Sequence, residues 1–354
     1  MPALHQPGEL AGEPHALSPR PNPMKKASTL DYQLRLFGAQ RAGVKRYARV
    51  GESQPSFPIY VQLQTLNACQ ATCVMCPYST YSKVFERGRM DDALFQKVIT
   101  ELAEHPEMHT FVPMLQNEPL LDKKLFDRLR LFREIAGDRV EIELVTNGAL
   151  LTDAVVENIR AVKLNVLDIS LDALSKETYE KIRIGLNFEQ VMAGVERVIA
   201  ADLPDTKIYV RLVRQRDNVH EIRAFARRWR SRGVGVFIYS AHDRAGSVDH
   251  FNDRISIPRE VQPLLHKLER RASRAWFGHC PIPFSVASIL HNGDVLMCVH
   301  DWGRKEIVGN VRDNTLAEVW NGDRMREIRS LVSQRRYDEV PACRNCGLVK
   351  EGWF

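Results

Sequence analysis

From Phe57 onward the chain repeats one rhythm six times: a short run rich in β-branched and aromatic residues, then a longer run with apolar positions three and four apart. The short runs are IYVQLQTL, HTFVPML, VEIELVT, NVLDISL, KIYVRLV and VGVFIYS. Between them lie MDDALFQKVITELAEH, KKLFDRLRLFREIA, DAVVENIRAV, FEQVMAGVERVIAA and VHEIRAFARRWRSRG. Leu94, Val98 and Leu102 of the first long run share one helical face. Strands separated by helices of roughly 10–15 residues predict βαβ units around a parallel sheet.

Six units are too few to close an eight-stranded barrel. In the first strand Tyr60, Gln62 and Gln64 alternate with Val61 and Leu63; in the fifth, Tyr209 and Arg211 alternate with Ile208, Val210 and Leu212. A flat parallel sheet buried on both faces would be apolar on both. One polar face predicts a curved sheet around a wet or ligand-filled lumen, an α/β fold of the partial (β/α)6 barrel type over residues 57–245.

After AHDRAGSVDHFNDR the rhythm changes. SVASILHNGDVLMC predicts a hairpin turning at Asn292-Gly293. A helix over Thr315–Leu331 follows, with Leu316, Val319 and Trp320 as its apolar side, and then PACRNCGLVKEGWF. Residues 246–354 are read as a second, small domain, modest enough in apolar content to draw stability from a bound metal centre. At the other end, six prolines in residues 1–28 predict disorder. Leu30, Leu34 and Phe37 predict a short helix within Thr29–Tyr47, making residues 1–56 an N-terminal extension.

Composition narrows the function. No run of ~18 apolar residues could span a bilayer, and the proline-broken N-terminus has no signal-peptide core. A cytoplasmic, reducing setting is expected, in which thiols stay available as ligands. The net charge is +6, but residues 1–56 hold eight Lys/Arg against four Asp/Glu, so a solvated basic extension is expected rather than a nucleic-acid surface.

Three of the seven cysteines fall in LNACQATCVMCPYS, directly after the first strand: Cys69, Cys73 and Cys76, with gaps of three and two. A disulfide takes two thiols and a structural zinc four ligands. Three thiolates at the mouth of a barrel, where βα loops build sites, suit a four-iron cluster with one iron left open. A zinc knuckle borrowing a distant ligand is the alternative. Cys280 precedes the hairpin, Cys298 ends it, and Cys343-x2-Cys346 follows; these four suit either zinc or a second cluster. SAHDRAG, after the sixth strand, puts His242, Asp243 and Arg244 at the barrel mouth as candidate catalytic residues, the alternative being a polar linker.

Cys69-x3-Cys73-x2-Cys76 after a first strand resembles the signature of the radical S-adenosylmethionine (SAM) superfamily. The resemblance implies a TIM-like partial barrel, SAM bound to the open iron, and a 5′-deoxyadenosyl radical that abstracts hydrogen from a substrate. LQNEPLL stands where the family carries Gly-Gly-Glu-Pro, implying that Glu118, beside Asn117, accepts from the methionine amine. Gln116 and Asn117 replace the two glycines. VTNGALL and DISLDALSKETYEKIR resemble the third- and fourth-strand segments, implying Asn147, Ser170 and Asp172 as cofactor contacts. Met75 stands where an aromatic residue is usual.

Cys280-x12-Gly293-x4-Cys298 with Cys343-x2-Cys346, together with GDVLMC, IVGNV and LAEVWNG, resembles the SPASM/Twitch domains. That implies an auxiliary [4Fe-4S] cluster with four cysteine ligands. The single-cluster spacing resembles the 2-deoxy-scyllo-inosamine dehydrogenase type. The expected function is therefore a radical SAM oxidoreductase acting on a sugar or aminocyclitol C–H in natural-product biosynthesis. A flavodoxin- or ferredoxin-type protein would donate one electron, and the auxiliary cluster would accept one. The two clusters use all seven cysteines, leaving none as the hydrogen donor of an epimerase. Epimerisation of the same substrates, and peptide or protein modification, are the alternatives. The extension has no strand pattern for pairing with a peptide edge.

Overall fold

The computed structural model describes residues 56–257 and 263–354. The expected disordered segment and helix before residue 56 lie outside the described residues. The six strands form where the alternation puts them: β1 (Tyr60–Leu63), β2 (Thr110–Val112), β3 (Glu141–Thr146), β4 (Val166–Ser170), β5 (Lys207–Arg214) and β6 (Gly235–Ser240). Each pairs in parallel with the next. The helices between them turn their periodic faces inward, so that Leu94, Val98 and Leu102 are buried. Asp91, Thr152, Ser175 and Asn187 each accept from the backbone amide three residues on, fixing four helix starts. Such caps contribute ~1 kcal/mol each.

The hairpin does not stand apart. Its strands β7 (Val286–Ile289) and β8 (Asp294–Leu296) and a further strand β9 (Ile307–Asn310) continue the sheet, in the order β6-β5-β4-β3-β2-β1-β7-β8-β9. β7 lies parallel to β1, with Tyr60 opposite Val286 and Leu63 opposite Ile289. The cysteine-bearing C-terminal region is thus welded to the strand that precedes Cys69.

The single helix expected over Thr315–Leu331 is instead two, Leu316–Trp320 and Asp323–Ser333. Gly322 between them is extended, at φ −66 and ψ 160. Glycine has little to lose by leaving the helix. The fully buried Arg329 holds the corner, donating to the Trp320 carbonyl and to Pro283 O, both at 2.8 Å. Apolar spacing continues through Val319, Trp320, Met325 and Ile328, so periodicity alone hides the break.

Inside the barrel the polar strand face builds a layered lumen. At its base Tyr209 stacks on Phe237 with ring centroids 4.8 Å apart, beside Val166. Gly235 makes room for this plug, since a Cβ there would stand 2.2 Å from the Tyr209 ring. A charged layer covers it. Arg211 pairs with Asp168, lies 4.0 Å from Glu143, and sits over the Tyr239 ring. Tyr60 donates to Glu143 at 3.1 Å. Among the described residues no helix is long and apolar enough to cross a membrane.

Candidate active site: two cysteine groups at the barrel mouth

Cys69, Cys73 and Cys76 occupy the loop between β1 and a short helix, Tyr78–Tyr81. The loop holds itself in shape. Cys76 N donates to Cys73 O at 3.0 Å, and Cys69 N to the Tyr78 hydroxyl at 2.9 Å. Its outer side is pinned to the end of helix Lys176–Ile182, with Thr72 N on Ile184 O and Val74 N on Ile182 O. All three cysteines are free thiols. Burial pushes Cys69 up to about 12 and Cys73 up to about 11. Thiolates here need compensating positive charge, which iron supplies.

Glu118 faces the same loop and is 2% exposed. Its backbone N–H donates to Ala68 O at 2.9 Å. Its carboxylate takes the Thr146 hydroxyl at 2.7 Å, Asn147 N at 2.8 Å and Leu120 N at 3.1 Å. These donors are all neutral, and burial raises the pKa above the usual glutamate value. A ligand ammonium would supply the missing counter-charge, so the site fits the amine of SAM. Gln116 has φ +58, a left-handed conformation that favours glycine, so the chain keeps the glycine-type path without the glycine. Asn117 Oδ1 accepts from Leu115 N at 2.9 Å, whereas its buried amide nitrogen has no partner among the described residues. Asn147 is similar: its Oδ1 accepts from Ala149 N at 3.0 Å and its Nδ2 is unpaired.

Ser170 ends β4, half-buried at the mouth. Asp172 is spent on protein groups. Its Oδ2 receives Arg183 Nε at 2.6 Å, and its Oδ1 receives Val213 N at 2.6 Å. Arg183 in turn donates to Cys73 Sγ at 3.8 Å. Arg183 is the last residue of DISLDALSKETYEKIR, and nothing in that segment's spacing signals its role. The helix Lys176–Ile182 that carries it back to the cysteine loop is visible only in three dimensions.

The other four cysteines meet at the far side of the mouth. Cys280, Cys298, Cys343 and Cys346 line one pocket, together with Ile282, Met297 and Phe354. Burial raises all four thiols, Cys280 to about 12. Among the described residues no three His, Cys, Asp or Glu side chains converge at the spacing of a single metal ion. Four thiols lining one pocket are a complete ligand set for a [4Fe-4S] cluster.

His242, Asp243 and Arg244 lie between the two groups. His242 packs edge-on against Trp353, 5.8 Å between ring centroids. Asp243 Oδ1 accepts from Gly347 N at 2.8 Å. Arg244 is half-buried, with φ +50.

The model of the Radical SAM superfamily matches residues 63–228, and that of the SPASM iron-sulfur cluster-binding domain matches residues 280–347. The chain belongs to the radical SAM superfamily, in its SPASM-containing branch. It is 24% identical over 321 residues to the tungsten-containing aldehyde ferredoxin oxidoreductase cofactor-modifying protein of Pyrococcus furiosus, covering 82% of this chain and 87% of that one. It is 22% identical over 289 residues to the S-adenosyl-L-methionine-dependent 2-deoxy-scyllo-inosamine dehydrogenase of Niallia circulans, covering 82% and 92%. The crystal structure of BtrN with AdoMet and 2-DOIA matches with a TM-score of 0.57 at 18% identity, over 82% of this chain and 93% of that one, a likeness of fold. The protein is thus a radical SAM enzyme, with SAM and [4Fe-4S] clusters as its cofactors.

Proposed function

We propose that this enzyme is a dehydrogenase that oxidises an alcohol carbon of a sugar or aminocyclitol to a carbonyl. The observation that carries the reading is the ring of four cysteines around one cavity. A cluster with four protein ligands has no open iron for substrate, which suits an electron acceptor. When bound, the SAM-side cofactors supply a hydrogen-atom acceptor and the auxiliary cluster a one-electron acceptor. The alcohol loses two hydrogens and two electrons: one hydrogen atom, one proton and one further electron.

The chain's residues divide this work. Cys69, Cys73 and Cys76 hold the SAM-binding cluster, and Cys280, Cys298, Cys343 and Cys346 the auxiliary one. Glu118 binds the amine of SAM, with Asn117, Asn147 and Ser170 facing the cofactor. Asp172 acts at one remove, orienting Arg183 against Cys73. The lumen supports a hydroxyl-rich substrate. Asp168 Oδ1, Arg211 Nε and Ser288 Oγ are buried there without partners among the described residues, offering acceptor and donor groups to hydroxyls. Asp168, its pKa raised by burial, is suited to receive the hydroxyl proton. An external flavodoxin- or ferredoxin-type protein supplies the starting electron. The similarity to a 2-deoxy-scyllo-inosamine dehydrogenase over most of both chains supports the substrate class.

The test is to incubate reconstituted enzyme, SAM and dithionite with a panel of aminocyclitols and polyols that includes 2-deoxy-scyllo-inosamine. The proposal expects 5′-deoxyadenosine above background together with a carbonyl product two hydrogens lighter. Stimulation by peptides alone would favour peptide modification.

A further inference from the structure

The segment 242–249 after β6 touches the stretches of chain next to both cysteine groups. On one side Tyr81 donates to Ser247 Oγ at 3.4 Å and Thr80 to Asp249 Oδ2 at 3.1 Å. Both donors belong to the short helix that follows Cys76. On the other side Asp243 Oδ1 accepts from Gly347 N, and a Cβ on Gly246 would stand 3.1 Å from Asn345 Cβ. Asn345 and Gly347 flank Cys346. The segment is therefore a strap between the two cluster loops. At its centre Arg244, Ala245 and Gly246 are successively left-handed, at φ +50, +60 and +77. L-residues avoid that conformation, so the contacts on both sides must hold it.

Arg244 is the charged residue of this turn. Burial presses its pKa down, while the Cys76 and Cys298 thiols, one from each group, pull it up. Among the described residues no carboxylate pairs with it. The other arginine near a cysteine sulfur differs, because Asp172 neutralises Arg183.

We infer that Arg244, held in the strap between the two cysteine groups, is a shared positive charge that raises the reduction potentials of both clusters. The inference rests on the proposal that each group holds a four-iron cluster. Reduction adds negative charge to a cluster, and a fixed cation in a low-dielectric site favours that state. One side chain thereby eases both electron entry at the SAM site and electron acceptance at the auxiliary site. Arg244 acts through the clusters, as a positioning charge, and takes no proton or electron itself.

The test is a redox titration followed by electron paramagnetic resonance on the full reconstituted chain. Each cluster is read alone, the auxiliary one in C69A/C73A/C76A and the SAM-site one in C280A/C298A/C343A/C346A. In each background R244M is expected to make reduction at least tenfold less favourable, ~59 mV for one electron. R244Q, neutral but still hydrogen-bonding, is expected to match it, and R244K to stay within a fewfold of the parent. Iron content separates the two levels of failure. A parent chain lacking the second cluster would remove the reading beneath the inference. Two full clusters whose potentials ignore R244M and R244Q, or of which only one responds, would overturn the role of Arg244.

Discussion

Asp172 and Arg183 form a buried ion pair, Oδ2 to Nη2 at 2.5 Å, and the same guanidinium reaches Cys73 Sγ at 3.8 Å. Asp172 sits at φ +63 directly beyond β4, and Arg183 lies just past the helix Lys176–Ile182. The pair ties the fourth βα connection to the cysteine loop. Removing the carboxylate would leave a buried arginine unbalanced, which costs about 3–5 kcal/mol. Asp172→Ala should lower the thermal midpoint of the cluster-free protein sharply, and Asp172→Asn should do so less. A cluster-free Asp172→Ala protein as stable as the parent would show that losing the carboxylate carries no such cost.

Glu118 gives a pH-dependent prediction. Burial raises its pKa above the ordinary glutamate value, so the carboxylate that would hold the SAM amine forms fully only above that range. Affinity for SAM should rise with pH through that window. The stability of the ligand-free protein should run the other way. The raised pKa contributes stability that is present below the unfolded value and fades as pH rises through the folded one. Glu118→Gln should flatten both profiles and weaken SAM binding ~10–100-fold, the worth of a charged hydrogen bond. Equilibrium dialysis with SAM across the acidic range checks it.

Much of this was legible in the chain. Alternation places all six barrel strands, and the polar residues Tyr60, Gln62 and Arg211 mark the lumen face. The cysteine spacings marked both groups. What periodicity could not give was long-range. Nothing in VASI or YVQL says that β7 lies beside β1, because strand partners carry no local signal. The Asn321-Gly322 break was masked by apolar residues that keep their spacing across it. The sequence points to Asp172 as a cofactor contact; in the fold its oxygens also meet Arg183, brought back by a helix, and Val213 N on β5, partners that no local pattern announces.

The outcome of the reaction can be read from the product. Tyr209, the lumen tyrosine with the chemistry to replace a cysteine as hydrogen donor, is fully buried against Phe237 in the apolar plug. Turnover in deuterium oxide should give a carbonyl product without solvent deuterium at the abstracted carbon, with SAM consumed stoichiometrically. A product isomeric with the substrate and carrying one solvent deuterium would assign epimerisation instead.

Gly347 and Asp243 test the link to the auxiliary site. A Cβ on Gly347 would stand 2.7 Å from Asp243 Oδ1, so Gly347→Ala must displace that carboxylate. Gly347→Ala and Asp243→Ala should both speed removal of the auxiliary iron by a chelator and leave the SAM-site iron in place. Equal loss from both sites would deny the local coupling.

The most direct test of the two-cluster account is iron stoichiometry in three chains reconstituted without oxygen. The parent should hold about eight irons, and C69A/C73A/C76A about four with no cleavage of SAM. C280A/C298A/C343A/C346A should also hold about four while still cleaving SAM under dithionite. A parent chain with about four irons and one zinc would contradict the account.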